Sequence, residues 1–134
     1  MLEGGIEVDT LALNHPNGSV GYRFTCAGKM LVTVTDHEHG DPACDAAVED
    51  FVRGADVMIY DGMFDDSEYA AHVGWGHSTW QEGLKLADRA DVRVPVIFHH
   101  HPDRTDDDLD RYAAEAARRH PGALFARQGM DIPL

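Results

Sequence analysis

Two uninterrupted apolar runs, Val57 to Tyr60 and Val94 to Phe98, each follow a segment of helical spacing, and this repeat limits the fold more than any other feature. A strand buried on both faces reads as such a run, so the pair predicts parallel strands joined through helices. Upstream the period changes. Ile6, Val8, Thr10 and Ala12 alternate with Glu7, Asp9, Leu11 and Leu13, and Val20, Tyr22, Phe24 and Cys26 alternate with Ser19, Gly21, Arg23 and Thr25. Alternation broken by His15-Pro16-Asn17-Gly18 and by Gly28 predicts an antiparallel meander of three strands, Ile6 to Asn14, Val20 to Cys26 and Lys29 to Thr35. The expected class is α/β, with N-terminal antiparallel strands followed by βα units.

Helix signals fit between the strands. Ala47, Val48, Phe51, Val52 and Ala55 share one face of a helix that begins near Pro42 and ends near Gly54. Thr79-x-x-Glu82 and Thr105-x-x-Asp108 fit capping boxes. The first opens a helix to about Ala90, and the second opens one whose face carries Leu109, Tyr112, Ala113, Ala116, Ala117 and His120. Asp65 to His72 reads as a loop or short helical turn, and Leu124 to Ala126 as a closing strand.

With 134 residues the chain has the length of one domain. Its formal charge of −13 disfavours a nucleic-acid partner, because no cluster of Lys and Arg could track a phosphate backbone. No apolar run approaches the ~20 residues of a membrane span. Met1 to Gly5 lacks the features of a signal peptide, so a cytoplasmic protein without a membrane partner is expected. Cys26 and Cys44 fit no metal-binding spacing and read as packed thiols.

Histidine and aspartate gather where strands end. His15 follows the first predicted strand, Asp36 the third, Asp61 the Val57 run, and His99, His100 and His101 the Val94 run. Such residues ordinarily serve as turn and cap groups. Four ends together suggest convergence, and imidazole with carboxylate is a donor set for zinc, manganese or iron. His77, in Gly74-Trp75-Gly76-His77-Ser78-Thr79, precedes a capped helix. It reads either as a locally bonded loop histidine or as a proton donor beside a bound anion.

The strings His15-Pro16-Asn17-Gly18-Ser19-Val20-Gly21-Tyr22-Arg23-Phe24, Val34-Thr35-Asp36, Ala55-Asp56-Val57-Met58-Ile59-Tyr60-Asp61, Gly76-His77-Ser78-Thr79 and Ile97-Phe98-His99-His100 occur in an informative order. In that order they resemble the C-terminal half of a metallo-β-lactamase superfamily hydrolase of the ribonuclease Z and phosphodiesterase-like branch. The resemblance implies half of an αββα sandwich and hydrolysis of a small phosphodiester or related ester by a metal-bound hydroxide. It makes His15 a ligand of one metal, Asp36 the bridging carboxylate and His99 a ligand of the other. His77 becomes the catalytic histidine and Asp61 its acidic neighbour. Two Zn2+ ions are implied in the complete site, with Mn2+ or Fe as alternatives.

The same resemblance implies an N-terminal half carrying His-x-His-x-Asp-His, which nothing before His15 supplies. Residues 1–134 therefore read as one partial domain, expected to form a homo-oligomer or to be completed by the other half. The alternative is a catalytically inactive half-domain that acts through association with a partner chain. His37-Glu38-His39-Gly40-Asp41-Pro42 departs from the motif at Pro42, so His37 and His39 are expected to be solvated loop residues that at most trim the site. His100 and His101 are expected beside the site, Trp75 and Trp80 in packing roles, and Asp106, Asp107 and Asp108 in the first turn of a helix.

Overall fold

The computed structural model describes residues 5–134, so the reading of Met1 to Gly5 falls almost wholly outside them. The alternating segments form β1 (Glu7–Leu13), β2 (Ser19–Cys26) and β3 (Lys29–Val34), paired antiparallel in sequence. Then follow α1 (Pro42–Val52), β4 (Val57–Asp61), α2 (Asp66–Tyr69), α3 (Trp80–Arg89), β5 (Val94–Phe98), α4 (Asp106–Arg119) and β6 (Leu124–Phe125). Strands β3 to β6 pair parallel, and the six strands lie side by side in chain order. Pro95 is tolerated in β5 because β6 pairs only with Val96 and Ile97, leaving no strand opposite the missing N–H.

This order decides where the helices go. Because β3 to β6 advance steadily across the sheet, right-handed crossovers lay every connecting helix on the same face. On that face Val32, Val34, Met58 and Tyr60 pack with Val48, Phe51 and Val52 of α1 and Leu86 and Ala87 of α3. A second cluster joins Trp80, Leu84, Ile97, Ala116 and Phe125. The opposite face has no helix among the described residues. Val20, Tyr22, Thr33, Ile59, Val96 and Phe98 line a shallow depression of about 420 Å3 there. Val20, Tyr22 and Phe98 are 46%, 44% and 48% exposed. The chain thus forms one sheet and one helical layer of the expected sandwich.

The sequence signals for the caps are met with one change. Asp41 caps α1, accepting from Ala43 N and Cys44 N, with Pro42 in the first turn. Thr105 and Asp108 form the full reciprocal box. Thr79 accepts from Glu82 N, but the Glu82 carboxylate pairs with Lys85 and Arg89 instead of returning to the cap. Ala47 and Ala117 are exposed at the edges of their helical faces. Cys26, read as packed, is exposed because it ends β2 at the turn through Ala27 and Gly28.

Topology also assembles a rim. β1 runs parallel to β3 because both are antiparallel to β2, so β1, β3, β4 and β5 all end at one edge of the sheet. His15, Asp36, Asp61 and His99 stand at or just beyond those four ends.

Candidate metal centre

Asp36 and His99 turn out of their strands in the left-handed region, at φ 54° and 58°, which polar residues at such ends tolerate better than branched ones. These turns bring His99 Nε2 within 3.5 Å of Asp36 Oδ1. Single ligand atoms of His15, Asp36 and His77 lie within 4.8 Å of one another, and so do those of Asp61, His77 and His99. All five residues singled out in the sequence therefore share one site. The imidazole rings of His15 and His99 flank that of His77, with centroids 5.7 and 4.9 Å away.

Asp61 organises the floor. It is fully buried, and its Oδ2 accepts from His77 Nδ1 at 2.9 Å, from Asp36 N at 3.0 Å and from His37 N at 3.4 Å. Its Oδ1 accepts from the backbone N–H groups of Met63 and Ser78. The bond from Asp61 holds the His77 imidazole above its ordinary pKa, with partial burial opposing and the charges of Asp61, Asp36 and Glu38 adding to the rise. His77 thus has Nδ1 fixed and Nε2 free of hydrogen bonds to the described residues.

The segment after Asp36 departs from the expectation of a solvated turn. His37 is 1% exposed and Glu38 6% exposed. Loop 72–77 folds over Glu38, whereas the His37 ring turns inward against Tyr60, centroids 6.1 Å apart; no local pattern announces either contact. Glu38 Oε1 accepts from Gly74 N at 2.7 Å and from Tyr69 OH at 3.0 Å, and Oε2 accepts from Gly76 N at 2.8 Å. Burial pushes the Glu38 carboxyl up, but these bonds outweigh it and hold the group below the ordinary carboxylate range. Burial also lowers the His37 pKa. Asp41, the last acid of that string, is spent on capping α1.

The remaining residues divide by side. His100 stacks on Phe125 and shares a bond with Ala126 O, while His101 lies against Phe64; neither joins a group of three possible ligands. Trp80 is buried and donates Nε1–H to Asp65. Trp75, expected to pack, lies edge-on against His72 and Phe64 with centroids 4.8 and 6.4 Å away, yet remains 56% exposed. Beside His15 opens a cleft of about 550 Å3 lined by Asn14, Glu38, His39, Asp41 and Tyr69 among others, with no Lys or Arg in its wall.

A family profile described as the beta-lactamase superfamily domain matches residues 2–125. A ribonuclease Z of Gemmatimonas aurantiaca is 36% identical over 107 residues, covering 80% of this chain and 32% of that protein. A ribonuclease Z of Methanopyrus kandleri is 32% identical over 116 residues, covering 86% and 37%. Among solved structures, the metallo-beta-lactamase fold protein YhfI of Bacillus subtilis superposes with a TM-score of 0.77 at 21% identity, over 97% of this chain and 49% of its own. The short form of human tRNase Z gives 0.71 at 19% identity, over 100% and 46%. The chain thus spans about a third of those two curated relatives and about half of those two structures.

Proposed function

The chain belongs to the beta-lactamase superfamily, and from that premise we propose that it is the C-terminal half of a metal-dependent hydrolase acting on a small phosphodiester or related ester. The observation that carries this reading is the convergence of His15, Asp36 and His99 around the Asp61–His77 pair. Imidazole and carboxylate at one rim suit Zn2+, with Mn2+ or Fe as alternatives. His15 and His99 would each hold one ion and Asp36 would bridge them. When bound, such ions supply Lewis-acid polarisation of the ester and lower the pKa of the attacking water. His77, whose affinity for a proton Asp61 raises, would donate a proton to the leaving oxygen while Asp61 fixes the ring.

Three ligands shared by two ions leave each short, since a catalytic zinc takes three protein ligands and an open position. An N-terminal half of the same fold would supply the rest and cover the bare sheet face. The wall beside His15, free of Lys and Arg, favours a small substrate over a polynucleotide. The test is hydrolysis of bis(4-nitrophenyl) phosphate by the chain supplemented with Zn2+ or Mn2+. Chelator-sensitive turnover is expected from a chain whose site is complete enough to hold its ions. Absence of both turnover and stoichiometric metal would leave the second reading, an inactive half-domain that works by association, which the apolar face itself favours.

A further inference from the structure

Glu38 is a buried carboxylate with no Lys or Arg partner within ion-pair distance among the described residues. An apolar side chain would fill that volume without the cost of desolvating a charge. What Glu38 has instead is connectivity. Its two oxygens hold the amides of Gly74 and Gly76, on either side of Trp75. Its own N–H donates to Asn14 O at 2.9 Å, and its carbonyl accepts from Asn14 Nδ2 at 2.8 Å. Asn14 immediately precedes His15, Gly76 immediately precedes His77, and Asp36 lies two residues before Glu38.

The loop so held also touches the site directly. A Cβ at Gly76 would stand 2.2 Å from His15 Cδ2, so the loop backbone lies flush against that imidazole. On the far side of His77, Ser78 Oγ donates to His37 O and accepts from His39 N. The segment 37–39 therefore grips the His77 loop both before and after the histidine.

We propose that Glu38 is a positioning residue: its carboxylate ties the His77 loop to the ends of β1 and β3 and so sets the spacing of His15, Asp36 and His77. A carboxylate offers a separate acceptor oxygen to each of the two amides, which accounts for a charged group where packing alone asks for none. The role rests on the hydrolase reading only for its consequence, not for its geometry.

The test uses the full chain with Glu38→Gln, which keeps shape but turns an NH2 toward one of the two amides. Three quantities are read: hydrogen exchange at Gly74 and Gly76, the imidazole resonances of His15 and His77, and Zn2+ affinity by calorimetry. Val48→Ala, in the core under α1, serves as a variant that only loses stability. Glu38→Gln is expected to speed exchange at one or both glycines and shift both imidazoles. Zn2+ binding should weaken about tenfold to a hundredfold, the range for losing a group that orients a metal ligand. Val48→Ala should leave all three unchanged. Native exchange and resonances in Glu38→Gln, or equal changes in Val48→Ala, would overturn the proposal. Should the native chain bind no Zn2+, the hydrolase reading fails, while exchange and resonances still decide the role of Glu38.

Discussion

At the scale of single residues, the Asp61–His77 pair is the sharpest point of the site. Because Asp61 raises the His77 pKa, the folded chain binds that proton more tightly than the unfolded one. The pair stabilises fully below the unfolded value, near 6.5, and its contribution fades as pH rises through the higher folded value. Asp61→Asn is expected to lower the midpoint of His77 in an NMR titration of the metal-free protein, and an unmoved midpoint would contradict the assignment. That the five site residues meet at the rim was legible in the sequence because each follows a recognisable strand or precedes a recognisable cap. The place of Glu38 was not. Its burial depends on amides 36 and 38 residues further along, and an acidic, His-rich turn looks solvated until that loop closes over it.

At the scale of elements, caps and alternation told where helices and strands begin, but not how closely they approach. Gly83 shows the difference. Within α3 it reads as a weak helix former, yet a Cβ there would stand 2.6 Å from Tyr60 Cδ1 and 3.0 Å from Ile97 Cδ1, so the helix lies directly on β4 and β5. Gly83→Ala gains helix propensity of about 1 kcal/mol. The clash with a buried ring opposes that gain by about 1–3 kcal/mol. Urea denaturation should show no stabilisation and a net loss wherever the clash exceeds the gain; a clear rise in stability would mean that α3 can lift from the sheet. The Thr79 box was half legible for a related reason. The cap itself is local, whereas the choice of Glu82 between the cap and Arg89 depends on where Arg89 lies.

At the scale of the molecule, strand order and handedness place every helix on one face and leave Val20, Tyr22 and Phe98 bare on the other. The chain by itself is expected to self-associate through that face, and Tyr22→Glu should shift sedimentation toward the monomer, since an ion cannot be buried there without a partner. Unchanged sedimentation would remove the face from the account. The rim at which four strands end is likewise a property of topology: apolar periodicity marks the strands, and their pairing brings His15, Asp36, Asp61 and His99 together. Metal content per chain after equilibrium dialysis against Zn2+ decides whether that rim holds ions. Bound Zn2+ is expected in the native chain and is lost when His15, Asp36 and His99 are all replaced by alanine; equal metal content in the two proteins, or none in either, would refute a metal centre at the rim.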